Sequence, residues 1–137
     1  MTWLRPLPTV SPGNEPFFAG LAQRKFHVLK CRACGDLNWT PYPACRSCLS
    51  IQQDWFEVSG RGTLYTWTVV HTGPKAFTQE GPYVFAFAKL AEGPRPLIVM
   101  GNLMGCDHDA IKVDMPIRIA YRDVPGHDVT LYHFEPA

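Results

Sequence analysis

Four cysteines carry the clearest chemistry in this sequence. Cys31 and Cys34 are two residues apart, ten residues follow, and Cys45 and Cys48 repeat the first spacing. A C-x2-C turn aims two sulfurs at one point. Two such turns brought together offer four thiolates in a tetrahedron, the geometry zinc accepts. Rubredoxin-like iron sites use similar knuckles. Aerobic cytosolic proteins with this spacing more often hold zinc, so zinc is the ion expected. A catalytic zinc keeps one position open, and four cysteines leave none. The ion is therefore expected to fold the segment and to do no chemistry. Thioredoxin-like redox work is not expected, because no βαβ pattern surrounds either pair. Gly35 follows Cys34, and its freedom at positive φ lets backbone amides turn toward the sulfurs and offset their charge.

The other candidates are weaker. Cys106 ends an apolar run beside Gly105 and reads as a small buried thiol. A nucleophile there would need a base, with His108 the nearby imidazole. Asp107, His108 and Asp109 are consecutive and cannot all face one ion, and Asp107 is explained as a helix cap. His71 closes a predicted strand beside Gly73-Pro74 and reads as a structural histidine. In Ser59-Gly60-Arg61-Gly62, two glycines allow close backbone approach and Arg61 can grip a phosphate; a flexible joint entering a strand explains the same residues. Tyr65, Trp67, Phe85 and Phe87 have the ring faces that stack nucleobases, but strand 62–71 holds no basic residue. Core packing is the expectation for them.

These residues need elements to position them. Residues 1–13 read as an irregular arm with three prolines. A short helix follows from Asn14 or Glu15, with Pro16 in its first turn and Phe17, Phe18, Leu21 and Ala22 making an apolar face. It reads as a small capping helix. Phe26, Val28 and Lys30 alternate with His27 and Leu29, as a short strand does. Beyond residue 56 the pattern is all-β. Strands are expected over Gly62–His71, Tyr83–Leu90, Leu97–Leu103, Ile117–Tyr121 and Thr130–Phe134. The joints carry Gly73-Pro74, Gly81-Pro82, Gly93-Pro94 and Pro125-Gly126. A short helix is expected over Asp107–Val113. Five strands with a helix between the third and fourth is the order of an OB-type barrel, which a small sandwich matches almost as well.

The bulk numbers bound the function. At 137 residues and 46% apolar composition the chain is globular, with a core of modest size. A cysteine segment of roughly 30 residues cannot hold itself without a staple. The net charge of +1 argues against strong attraction to nucleic acid or anionic lipid. No apolar run reaches the roughly 18 residues that span a bilayer. The opening MTWLRPLPTVSPGNEP lacks an apolar signal core, so a cytoplasmic location is expected, where paired cysteines bind metal rather than form disulfides.

The order of motifs also resembles a known family. PFFAGL, then CRACG…PYPACRSC, then W-x-x-x-SGRGTLYTWTVVH, GPYVFAFAKLAEGPR and NLMGCDHDAIKVDMPIRIAYRD are similar to the zinc-ribbon/OB-fold family of acyl-CoA-associated proteins, long listed as a domain of unknown function. The likeness runs from about Pro16 to Pro136. It implies an N-terminal arm and helix over 1–25, a rubredoxin-like zinc ribbon over 26–58 and a five-stranded OB-fold over 59–137. It implies zinc on Cys31, Cys34, Cys45 and Cys48. It also implies a role as a small subunit, without activity of its own, in a hetero-oligomer with a thiolase-superfamily thiolase or aldolase, or with a hotdog-fold hydratase. Such complexes process acyl-CoA, several of them in breaking down steroid side chains. Ser59, Gly60, Arg61, Gly62 and His71 match family motifs, and a cleft between ribbon and barrel is where a CoA chain would lie. One departure is Cys45-Arg46-Ser47-Cys48, where many members have proline after the third cysteine; the sulfurs are unchanged. The absence of an acid–base or nucleophile constellation agrees with a subunit that is not itself catalytic. Two other readings stand beside it: a single-stranded nucleic-acid module, and a stand-alone acyl-CoA-binding protein or enzyme using Cys106 or His71.

Overall fold

The computed structural model describes residues 3–137. Helix α1 covers Glu15–Ala22 and carries Pro16 in its first turn, where a missing amide costs nothing. Its buried residues are Phe17, Gly20 and Leu21, while Ala22 faces outward, so the apolar face is narrower than the sequence spacing suggests. Three strands follow: β1 (Phe26–Cys31), β2 (Leu37–Asn38) and β3 (Gln53–Val58). They form an antiparallel sheet in the order β2-β1-β3, with Phe26 opposite Val58 and Cys31 opposite Gln53. β2 and β3 are additions to the sequence reading, which placed only β1 in this segment. Their signal is weak because β2 is two residues long and β3, with Gln53, Asp54 and Glu57, lacks a clean apolar alternation.

The remaining strands close a barrel. They are β4 (Arg61–Val70), β5 (Tyr83–Leu90), β6 (Ile98–Leu103), β7 (Pro116–Asp123) and β8 (Thr130–Pro136). The order is β4-β5-β6-β8-β7, and β7 returns to β4 through Arg61–Arg118 to Thr63–Pro116. This closed five-strand arrangement settles the choice in favour of the OB-type barrel over a sandwich. A bulge at Tyr65 shifts the β4–β5 register between Leu64 and Thr66, letting one long strand bend around the barrel. The seam between β6 and β8 is narrow: a single parallel pairing of Leu103 with Phe134, extended by the Met104 amide donating to the Phe134 carbonyl at 2.8 Å.

Leu64, Val84, Ala86, Ala88, Val99, Ile117 and Phe134 fill the barrel. Gly101 leaves room for the Phe134 ring, which a Cβ there would meet at 2.9 Å. Two expected features differ. The Asp107–Val113 helix is a single 3-10 turn, His108–Ala110, and the Asp107 side chain makes no capping bond. A four-residue helix, α2 (Lys75–Thr78), fills the β4–β5 connection, where Gly73-Pro74 suggested a plain turn.

Four aromatic rings join helix, ribbon and barrel. Phe26 of β1 meets Phe17 of α1 at 5.3 Å and Tyr132 of β8 at 5.0 Å, both edge-on. Trp39, just after β2, lies 6.2 Å from Tyr132. Edge-to-face pairs of this kind add about 0.5–1.5 kcal/mol each beyond the area they bury. The capping helix therefore packs where ribbon and barrel meet.

Candidate metal centre

Cys31 ends β1, and Cys34 follows in a turn closed by the Gly35 amide donating to the Cys31 carbonyl at 2.9 Å. Gly35 has φ 78°, a conformation that suits glycine. Cys45 and Cys48 form the second knuckle, closed by the Leu49 amide on the Cys45 carbonyl at 3.0 Å. The four Sγ atoms all lie within 4.8 Å of one another. The Cys31–Cys48 and Cys34–Cys45 separations are 3.5 and 3.6 Å, and all four thiols are free. A tetrahedron with Zn–S of about 2.3 Å has edges of about 3.8 Å, so the sulfurs stand where one ion would hold them. Cys31 and Cys45 are buried, Cys34 and Cys48 exposed, which puts the site at the surface of the ribbon.

Backbone amides face the sulfurs. The Ser47 amide lies 3.4 Å from the Cys45 Sγ. Amides of Cys48 and Ser47 draw the Cys45 thiol down to about 6, and the Cys34 amide above all lowers Cys31, while neighbouring sulfurs and burial raise Cys34 and Cys48 against their own amide donors. Such donors offset the negative charge of a thiolate set. Four cysteines are thus placed to bind one metal ion, with no open position among the protein ligands.

The knuckles are tied together by a residue that sequence reasoning missed. Asp36 is buried, its side chain only 3% exposed. It accepts from Arg46 Nε and Nη2 at 3.0 and 3.1 Å, from the Leu37 amide at 2.9 Å, and from the Ser47 hydroxyl. Hydrogen bonding from Arg46 holds its carboxyl at about 2, well below the usual carboxylate range. Arg46 also donates to the Pro96 carbonyl in the β5–β6 loop at 3.2 Å, and Arg95 Nε lies 3.7 Å from the Asp36 carboxylate. The ribbon is thereby bound to the barrel. The only sequence signal is that Asp36 and Arg46 each lie close to one of the four clustered cysteines.

The Ser59–Gly62 joint and His71 lie apart. Gly60 has φ 79° and its carbonyl accepts from the Ile119 amide at 2.7 Å. The Ser59 amide donates to Glu92 Oε2 at 2.5 Å. A Cβ at Gly62 would come within 2.2 Å of the Lys89 carbonyl oxygen, so β4 and β5 can approach only because glycine is there. Arg61 is exposed and, among the described residues, forms no ion pair. His71 is exposed just beyond the other end of β4. A strand of that length spans about 30 Å, so the joint and His71 do not line one depression.

The strand aromatics correct another expectation. Tyr65 is 53% exposed, and Phe85 and Phe87 stand on the outside of β5, because the inward positions of that strand are Val84, Ala86, Ala88 and Leu90. Phe85 and Phe87 meet edge-on at 5.2 Å, Met100 pairs beside Phe87, and Lys89 Nζ lies over the Tyr65 ring at 5.4 Å. Trp67 alone of the four packs against the edge of the core. The outer face of β4-β5-β6 is largely apolar, with two cations on these strands, Lys89 over Tyr65 and Arg61 at the start of β4. A groove tracking a nucleic-acid backbone takes a row of cations, which this face lacks. Burial raises the Cys106 thiol, the wrong direction for a thiolate nucleophile.

A four-cysteine ribbon joined to a closed OB barrel defines the class of protein, and the comparisons give the family. Residues 55–122 match the family described as ChsH2, C-terminal OB-fold domain. The chain is similar in structure to the "Ltp2-ChsH2(DUF35) aldolase", with 32% identity, a TM-score of 0.78, and coverage of 95% of this chain and 98% of that one. It is 36% identical over 98% of its length to a "Probable enoyl-CoA hydratase alpha subunit" of Thermomonospora curvata, covering 40% of that protein. It is 33% identical over 94% of its length to the "3-oxo-4,17-pregnadiene-20-carboxyl-CoA hydratase alpha subunit" of Mycobacterium tuberculosis, covering 39% of it. The chain thus spans about two fifths of the length of these two curated relatives. The chain belongs to the DUF35 family, with an OB-fold of the ChsH2 type. No helix among the described residues is long and apolar enough to cross a membrane.

Proposed function

We propose that this chain is a zinc-binding accessory subunit of a complex that processes CoA thioesters, and that its partner is a thiolase-superfamily aldolase or thiolase. The observation that carries this reading is the two-way coverage of the Ltp2-ChsH2(DUF35) aldolase: the match takes in nearly all of both chains. The relatives named as CoA hydratase subunits agree on the substrate class and point to steroid side chains or fatty-acyl groups. Zinc is the ion that fits four thiolates in a closed tetrahedron, held by Cys31, Cys34, Cys45 and Cys48. It stabilises the ribbon and does no chemistry. The outer face with Tyr65, Phe85, Phe87 and Met100 suits the apolar centre of a protein interface. Arg61 and His71, exposed near opposite ends of β4, offer separate polar contacts to a CoA chain at the edges of that assembly.

Co-expression with the thiolase-like enzyme of the native host tests this. The expected result is a stable hetero-oligomer by light scattering, with acyl-CoA turnover that falls when the chain is omitted. A chain that stays monomeric beside the enzyme and leaves its turnover unchanged refutes the reading.

A further inference from the structure

A cavity of about 590 Å³ lies between the N-terminal arm, α1, the Trp39 turn and the β6–β8 seam. That volume is in the range of sites that hold a drug-sized molecule, roughly 300–1,000 Å³. Its body is apolar, with Phe17, Phe18, Leu21, Trp39, Phe77 and Tyr132 along the wall. None of Ser59, Gly60, Arg61, Gly62, His71 or the four cysteines lines it.

Its polar lining is unusual in two ways. First, buried polar atoms of four lining residues have no hydrogen-bond partner among the described residues: Trp3 Nε1, Arg5 Nε, Trp39 Nε1 and His133 Nδ1. His133 is only 8% exposed, and its other nitrogen is used by Glu135 at 2.8 Å. A buried polar group left without a partner costs about 1–3 kcal/mol, so these four in the wall of one cavity favour an occupant, or ordered water, that can hydrogen-bond to them. Second, two guanidinium groups share one indole. Arg122 lies 4.8 Å and Arg5 5.5 Å from the Trp3 ring centre, and Arg5 is also 5.6 Å from the Phe77 ring. Neither forms an ion pair among the described residues, although Glu80 acts on Arg122 from a distance. Burial and the charge of Arg5 lower the pKa of Arg122, so the two cations oppose each other.

We infer that this cavity binds an amphiphilic anion, with its apolar body against the aromatic wall and a carboxylate or phosphate between Arg5 and Arg122. Forked guanidinium donors match both anions. The inference concerns the isolated chain and does not depend on a partner enzyme.

Calorimetry on the full metal-loaded chain tests it, with decanoate, decan-1-ol, decanoyl-CoA and coenzyme A as probes. Decanoate is expected to saturate at one molecule per chain, with decan-1-ol about tenfold weaker or worse. Arg5→Gln with Arg122→Gln should weaken decanoate by about tenfold and leave decan-1-ol unchanged. In nuclear magnetic resonance spectra the Trp3 and Trp39 indole N–H signals should move on titration. Decanoyl-CoA that binds more tightly than decanoate and loses its advantage in the double variant supports the site, with phosphate as the anion. Three binding results overturn it: decan-1-ol binding as tightly as decanoate, a double variant that binds decanoate unchanged, or coenzyme A alone binding as tightly as decanoyl-CoA. Unmoved indole signals at saturating decanoate also overturn it.

Discussion

Asp36 and Arg46 face each other across the two cysteine knuckles, the carboxylate accepting from Nε and Nη2 at 3.0 and 3.1 Å. Arg46 sits between the third and fourth cysteines, and Asp36 two residues past the second. The pair therefore fixes one half of the metal site against the other. Breaking a buried ion pair from one side leaves an uncompensated charge, at a cost of about 3–5 kcal/mol. Asp36→Ala should lower the unfolding free energy by about that much in a urea titration. A double-mutant cycle with Arg46→Met should show a coupling of at least about 1 kcal/mol. Additive losses would show that the pair does not act as a clasp.

The metal site gives a second expectation. Elemental analysis of the purified chain should find about one zinc per molecule, since a tetrahedron of four cysteines takes one ion. Cys45→Ser should abolish retention, and a chelator should raise amide exchange throughout β1–β3, because structural zinc binding is itself folding energy for such segments. Stoichiometric iron, or a ribbon that stays protected after the metal is stripped, would contradict this.

Gly62 makes a third. Its missing Cβ would lie 2.2 Å from a backbone oxygen of Lys89, and backbone atoms cannot swing aside as a side chain can. Gly62→Ala should destabilise the barrel by about 3 kcal/mol, read from thermal unfolding. A change within about 0.5 kcal/mol would mean that β4 and β5 separate without penalty.

Asp123 offers a pH test. Arg24, just past the end of α1, grips it with two nitrogens at 2.9 and 3.1 Å, and the Thr130 hydroxyl adds a third bond. Arg24 first, then Thr130, hold the Asp123 carboxyl at about 2. A depressed folded value means the contact stabilises above the ordinary carboxylate range and is lost as pH falls toward about 2. Carboxyl carbon shifts followed by nuclear magnetic resonance should report that midpoint, and Arg24→Gln should move it up toward the ordinary range. An unchanged midpoint in the variant would remove Arg24 as the cause.

The outer barrel face can be tested without touching the core. Met100 and Tyr65 are 42% and 53% exposed, so Met100→Glu and Tyr65→Glu should leave the unfolding temperature nearly unchanged. Both should break the hetero-oligomer proposed above, measured by co-purification.

Much of this was legible because it rests on local pattern. Two C-x2-C turns define a metal tetrahedron whatever surrounds them. Val84, Ala86 and Ala88 alternate with Phe85 and Phe87, which shows a two-faced strand. Which face is inward is not local: the bulkier set was expected inside, and the barrel instead takes Val84, Ala86 and Ala88, a choice set by the other strands that close around them. Asp36 was invisible for a related reason, since its partners Arg46 and Arg95 become neighbours only when both knuckles and the β5–β6 loop converge. The cavity was likewise hidden, because Trp3, Phe77 and Tyr132 come from three distant stretches of chain.

The narrow β6–β8 seam has a consequence for how the molecule breathes. One strand pairing, the Met104 amide on the Phe134 carbonyl and the Tyr132 hydroxyl donating to the Met100 carbonyl hold it, while rings from α1, β1 and the Trp39 turn lie across it. Those rings act as a missing stave. Amides along the seam should therefore exchange with solvent at a rate governed by the ribbon, and so by the metal, even though no ligand cysteine touches them. Ribbon and barrel then form one cooperative unit of opening, and a chain cut back to the barrel would leak at that seam.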